Sequence, residues 1–120
     1  MEHLEYSKEL NSFAYYCHQN TLDFVTEETK TRVLLGRLYY ALVHFYFSKY
    51  PELASSSGTN KHETLSRILD KENPKESRLF HQLKKLRVWS DYQPHNKAPF
   101  DINIKRLFHE VNKLINSKNI

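Results

Sequence analysis

Residues 37–44 read RLYYALVH and lie inside a mostly apolar run, residues 33–47. A helix that is apolar on nearly every side is typical of the centre of a bundle, so this segment predicts a buried central helix. Arg37 and His44 are two helical turns apart, which places them on one face of that helix. Because an unpaired buried guanidinium is costly, we expect Arg37 to be mostly buried and bonded to a carboxylate or to backbone carbonyls, with Asp91 as the leading candidate.

Apolar residues recur at helical spacing in five segments, and no segment of useful length alternates with the period of a strand. The predicted helices cover roughly residues 4–19, 27–50, 60–71, 74–90 and 102–115. Their predicted N-caps are Thr26, Asn60, Asn73 and Asp101. The apolar face of the first helix contains Tyr6, Leu10, Phe13, Ala14 and Cys17. The sequence therefore predicts an all-α, up-and-down bundle of four to five helices.

The composition fits a single helical domain that spans residues 1–120. The net charge of +4 favours an anionic partner such as RNA or a nucleotide, and an ordinary solvated basic surface is the alternative. Cys17 is the only cysteine, which fits a reducing compartment, and residues 1–5 do not look like a leader. The apolar run is too short to cross a bilayer. We therefore expect a cytoplasmic protein with no membrane association.

Residues 86–92, LRVWSDY, hold a second group of candidate side chains. Arg87 and Asp91 are four residues apart, so they can pair on a helix. If Asp91 also faces Arg37, its carboxylate neutralises a buried cation; otherwise the pair is surface scaffolding of small energetic value. Lys84 adds positive charge beside the aromatic residues of this segment. Such a surface binds single-stranded RNA by phosphate contact and stacking, and solvated lysines beside a core tryptophan are the alternative.

Three further residues are candidates for contact with an anion or for proton transfer. Lys61 and His62 open a predicted helix, whose N-terminus attracts anions; an exposed polar first turn is the alternative. His95 lies in a polar loop, where a histidine either shuttles protons or is merely solvated. No histidines stand at the spacing of a metal site with a third ligand, so we expect no metal and no cofactor.

Taken in order, these motifs resemble the HEPN superfamily (higher eukaryotes and prokaryotes nucleotide-binding domain). The matching segments are RLYYALVH at 37–44, Lys61-His62 at the start of the next helix, and LRVWSDY at 86–92, followed by a final amphipathic helix. Ser90 stands where an alanine is usual in the family. The resemblance covers nearly the whole chain, which is similar to the Asp-Tyr variant of the family.

The resemblance implies a usually dimeric bundle from a bacterial or archaeal cytosolic protein. Catalytic members are metal-independent RNases that use an arginine, four to six further residues, and a histidine. Seven residues separate Arg87 from His95, and six separate Arg37 from His44. The implied catalytic candidates are Arg87, Asp91, Tyr92, His95, Arg37 and His44, and the implied RNA-binding or nucleotide-binding candidates are Lys61, His62 and Lys84.

Two functions follow from the resemblance. The first is a metal-independent endoribonuclease of a stress-response, toxin–antitoxin or antiviral defence system. In such an enzyme a histidine deprotonates the ribose 2′-hydroxyl and an arginine stabilises the phosphorane, which gives a cyclic phosphate. The alternative is a non-catalytic HEPN interaction module or a nucleotide-binding partner of another defence protein. Either function predicts a homodimer or a complex with a partner protein.

Overall fold

The computed structural model describes residues 1–55 and 60–116, and these residues form helices but no strand. The helices are α1 (His3–Gln19), α2 (Glu27–Lys49), α3 (Pro51–Ser55), α4 (Lys61–Glu72), α5 (Pro74–Tyr92) and α6 (Ile104–Ile115). The predicted all-α bundle is confirmed. The short helix α3 is an addition, because Pro51 ends α2 and at once takes the first position of a new helix, where a proline is well tolerated.

Helix α2 is the centre of the bundle, as its apolar run predicts. It packs against α1, α3, α5 and α6, and its buried side chains form much of the core. Helices α1, α2, α5 and α6 alternate in direction along the chain. Helix α4 runs in the same direction as α2. Tyr39 contacts His62 at the start of α4, and Tyr50, which follows the last residue of α2, contacts Glu72 at the end of α4.

The side-chain caps predicted at the starts of α2 and α5 are observed. The Thr26 hydroxyl accepts from the Thr29 amide at 3.1 Å, and the Asn73 side chain accepts from the Glu76 amide at 3.1 Å. One predicted cap is wrong, because Asn103 caps α6 instead of Asp101. Asn60 occupies the N-cap position of α4, as predicted, but its side chain makes no capping hydrogen bond.

The predicted apolar face of α1 is only partly right: Ala14 is buried and Leu10 and Cys17 are half-buried against the core, but two small polar residues that were not predicted also face the core. Ser7, Asn11 and Ala14 are buried, whereas Phe13 is 62% exposed. The Ser7 hydroxyl donates to the Ala41 carbonyl at 2.5 Å, because a small side chain there lets α1 approach the backbone of α2. Aromatic residues of α1, such as Phe13 and Tyr16, are consequently exposed to solvent.

Arg32, and not Arg37, is the buried arginine of α2. Its Nη1 donates to the Trp89 carbonyl at 2.8 Å and the Gln93 carbonyl at 3.2 Å. Its Nη2 donates at 3.3 Å to two further carbonyls of the loop after α5. The guanidinium carbon lies 3.9 Å from the centre of the Trp89 ring. The carbonyls at the end of a helix have no partner within the helix, and Arg32 supplies one.

None of the described helices is both long enough and apolar enough to cross a membrane.

Candidate functional site

One face of α2 stays partly open, and Arg87 of α5 lies across it. The Arg87 Nη2 donates to the Tyr40 hydroxyl at 3.0 Å and to the Tyr92 hydroxyl at 3.4 Å. Its Nε is 3.3 Å from Asp91 Oδ2, so the predicted pairing of Arg87 with Asp91 is confirmed, although the two groups are not aligned as a hydrogen bond. The guanidinium is thereby fixed between phenol rings at the edge of the core.

His62, at the start of α4, lies beside this arginine. Its Nδ1 forms a short hydrogen bond with the hydroxyl of the buried Tyr39. Burial lowers the pKa of His62, and the positive charges of Arg87 and Lys84 lower it further. Burial also raises the pKa of Tyr39, so that this phenol stays protonated at neutral pH. His62 is therefore a neutral imidazole at neutral pH that faces cationic neighbours.

His44 is the second histidine of the site. Its Nδ1 is 2.8 Å from the Nδ1 of His3, and the two rings are stacked with centroids 5.0 Å apart. Tyr6 of α1 also contacts His44, edge to face. Burial lowers the pKa of His44, with additional lowering by His3 and His62. Only one of the two facing nitrogens can carry the proton of this hydrogen bond.

Arg37 shares this face but does not have the predicted environment. It is only partly buried, and its guanidinium carbon lies 5.6 Å from the centre of the Tyr40 ring. It makes no hydrogen bond or ion pair with the residues that the structure describes. A Cβ added to Gly36 would lie 3.8 Å from Asp91 Oδ1, so Asp91 sits over the residue before Arg37 while it pairs with Arg87. The predicted Arg37–Asp91 bond is wrong.

The two candidate lysines differ in what surrounds them. The Lys61 ammonium donates to the Ala54 carbonyl at 2.8 Å and so ties α4 to α3. Lys84 lies on α5. It is the third contributor to the lowered pKa of His62, after burial and the charge of Arg87. Lys84 is thus placed at the candidate site, whereas an RNA-binding role for Lys61 stays a prediction that its contact does not support.

His95 is exposed, and the structure does not bring it to Arg87. The carbonyls of Pro94 and Asn96, on either side of His95, accept from Arg32. Arg87 instead meets Tyr40, which is eight residues further along α2. That difference corresponds to about 12 Å along the helix axis. Arg87 and His95 therefore lie at different levels along the bundle and do not form a pair.

The assembled site combines two neutral histidines, a fixed guanidinium and tyrosine hydroxyls. These groups can bind a phosphate diester and exchange a proton with a hydroxyl. Within residues 1–55 and 60–116, no three His, Cys, Asp or Glu side chains stand close enough together to hold a metal ion.

Sequence reasoning did not assign a role to Tyr39, Tyr40 or His3. The two tyrosines belong to the RLYYALVH segment, and their adjacency puts one hydroxyl on His62 and the other on Arg87. That signal was present in the motif itself. His3 carries no local signal, because its contact with His44 depends on how α1 docks against α2.

The chain was compared with protein-family models, curated proteins and solved structures, and none of them matches it.

Proposed function

We propose that this chain is a HEPN-like protein that binds RNA and cleaves it without a metal ion, in the cytoplasm, as part of a stress-response, toxin–antitoxin or antiviral defence system. One observation carries the proposal: α2, α4 and α5 bring His44, His62 and Arg87 to a single half-open face. The order of the HEPN-like motifs along the chain supports it, because the same three helices carry them.

In the proposed reaction, His44 is the base. The mechanism requires the tautomer in which the His44 Nδ1–H donates across the contact with His3 Nδ1, so that the Nε2 lone pair takes the proton of a ribose 2′-hydroxyl. The 2′-oxygen attacks phosphorus, the bond to the 5′-oxygen breaks, and the leaving oxygen takes a proton from water at the open face. Arg87 and His62 stabilise the negative charge of the phosphorane. The products are a cyclic phosphate and a 5′-hydroxyl end.

The test is cleavage of end-labelled single-stranded RNA in the presence of EDTA. We expect a cyclic phosphate product with the unchanged protein. The substitution His44→Gln should lower the rate roughly 10²–10⁴-fold, since it removes a general base. Arg87→Gln should lower it roughly 10²–10³-fold, by analogy with the loss of one oxyanion donor. His109→Gln, on the exposed side of α6, is the matched control and should leave the rate unchanged.

His95→Gln separates this proposal from a site at the end of α5. Its rate should equal that of the control, because His95 lies at another level of the bundle. Loss of cleavage with His95→Gln but not with His44→Gln would contradict the proposed mechanism. If no RNA is cleaved even at stoichiometric protein, the alternative function is the better one.

The alternative is a non-catalytic module that docks a second copy or a partner protein. It is favoured by the aromatic strip of α1, formed by Tyr6, Phe13 and Tyr16, which share one face and are all exposed. Tyr16 is 65% exposed, and large exposed aromatic side chains are typical of interfaces. Light scattering that gives a mass above 14.4 kDa, reduced to that value by Phe13→Ser with Tyr16→Ser, would support it.

A further inference from the structure

An open groove of about 400 Å³ runs along the outer side of α5, next to the candidate site. Its lining residues come from α5 and from the loop that follows it: His81, Lys84, Lys85, Val88, Gln93 and Pro99. The four helical members are spaced so that they share one face of α5. The groove therefore has a regular wall on one side and an irregular wall on the other.

The groove is lined by both cationic and apolar side chains. Lys84 and Lys85 supply positive charge, and Val88 and Pro99 supply apolar surface. None of the described residues that line it is acidic. A carboxylate does touch one lining side chain, since Asp70 Oδ1 is 3.1 Å from His81 Nε2. That contact holds the imidazole from the α4 side, and no carboxylate among the described residues pairs with Lys84 or Lys85.

Lys84 connects the groove to the candidate site. It lines the groove, and its charge also lowers the pKa of His62, by less than burial and the charge of Arg87 do. Lys84 and Arg87 are three residues apart on α5, which is about 4.5 Å along the helix axis. A chain of phosphates that passes Arg87 and His62 therefore meets Lys84 next and then enters the groove.

We infer that this groove binds the nucleotide adjacent to the reacting phosphate of a single-stranded RNA. This inference rests on the proposed function. Lys84 and Lys85 bind the backbone phosphate, and the base lies against Val88 and Pro99. The positive charge of the two lysines selects an anionic occupant, and the apolar lining of Val88 and Pro99 suits the flat face of a nucleobase.

The experiment measures the affinity of short RNAs by fluorescence anisotropy as a function of salt. Each RNA carries one 2′-deoxy nucleotide at the reacting position, so that it binds without being cleaved. Lys85→Gln is compared with Lys113→Gln, which removes the same charge from the exposed surface of α6. For single strands, loss of one phosphate contact lowers the slope of log affinity against log salt by about 0.7. We expect that decrease with Lys85→Gln and no decrease with Lys113→Gln.

A length series locates the effect in the groove. Extending the RNA by one nucleotide on the groove side should raise the affinity of the unchanged protein and of the Lys113→Gln variant. The same extension should give no gain with Lys84→Gln plus Lys85→Gln, whose folding is checked by its melting temperature. Extension on the other side should give equal gains in all three proteins.

The outcomes separate the two proposals. If the unchanged protein binds none of the RNAs, both the proposed function and the groove are overturned. If it binds them, but the lysine variants and the control behave alike, only the groove is overturned. Light scattering could also show that Lys85→Gln changes the oligomeric mass in solution without changing RNA affinity. That result would identify the groove as a protein contact and would overturn the inference.

Discussion

Arg32 shows how one side chain joins the central helix to the far end of α5. Its guanidinium donates to four carbonyl groups and stacks on Trp89, and it is only 8% exposed. A lysine could place one ammonium in this pocket but could not match the planar fork of donors. The residue acts as the C-terminal cap of α5, supplied from another helix.

Replacement of Arg32 by alanine should destabilise the protein strongly. The carbonyls of α5 and its loop would lose their donors, and hydrogen bonds from a charged group contribute about 1.5–3 kcal/mol each. Because these bonds act together, we expect a total loss of roughly 3–5 kcal/mol, which corresponds to a melting temperature lower by roughly 10 °C or more. Thermal melts followed by circular dichroism measure it.

Arg37→Ala is the matched control for that measurement. Arg37 lies on the same helix, but its one described interaction is the ring of Tyr40. Its loss should change stability by about 0.5 kcal/mol or less. Equal destabilisation by the two substitutions would contradict the assignment of Arg32 as the buried arginine.

The contrast between the two arginines marks a limit of sequence reasoning. Arg37 was predicted to be buried because it lies in the apolar run, whereas Arg32 precedes that run. The partners of Arg32 are backbone carbonyls more than fifty positions away along the chain, and carbonyls carry no residue-specific signal. The Arg87–Asp91 pair was predictable, because its spacing lies within one helix.

At the scale of the element, the starts of α2 and α5 and the bounds of α1 were predictable, whereas the face that α1 buries was predictable only in part. The signals for Thr26 and Asn73 as caps act over three residues, so the sequence contains all of the relevant chemistry. The buried face of α1 depends instead on a close approach to α2 through Ser7. Hydrophobic periodicity correctly places Ala14 towards the core but also places Phe13 there, which is exposed. His62 was predicted as part of a motif, but its contact with Tyr39 depends on how α4 docks against α2.

Helix α2 also contains a glycine whose replacement should stabilise it. Gly36 is buried in the helix interior, and a Cβ added there would be in ordinary contact, 3.8 Å from Asp91 Oδ1. Glycine in a helix interior is less stable than alanine by roughly 0.5–1 kcal/mol. We therefore expect Gly36→Ala to raise the free energy of unfolding by about that amount in urea titration. A decrease would show that Asp91 and Arg87 need the space.

At the scale of the whole molecule, stability should fall as the pH drops below neutrality. His44 and His62 have pKa values below that of an unfolded histidine, which is about 6.5. The unfolded chain therefore takes up protons first as the pH falls through about 6.5. The folded state loses stability from there until the pH passes below the two folded pKa values. The urea midpoint measured from pH 8 to pH 5 should decrease in that window.

The variant His44→Gln with His62→Gln should flatten this dependence, whereas His109→Gln should not. Asp70 does not interfere, because its pKa is lowered by its hydrogen bonds to Ser77 and His81, so its contribution is lost only at more acid pH. A midpoint that stays constant between pH 7.5 and pH 5 in the unchanged protein would contradict the neutral state of both histidines.

The position of Trp89 gives the molecule a built-in optical probe. It is the only tryptophan, it is 5% exposed, and its indole nitrogen donates to the Asn96 carbonyl at 2.8 Å. All of the indole fluorescence of the protein therefore originates at the junction of α2, α5 and the loop after α5. Entry of water at this junction shifts the emission to longer wavelength even while the helices remain intact. The opening of this junction can thus be timed separately from the melting of the bundle.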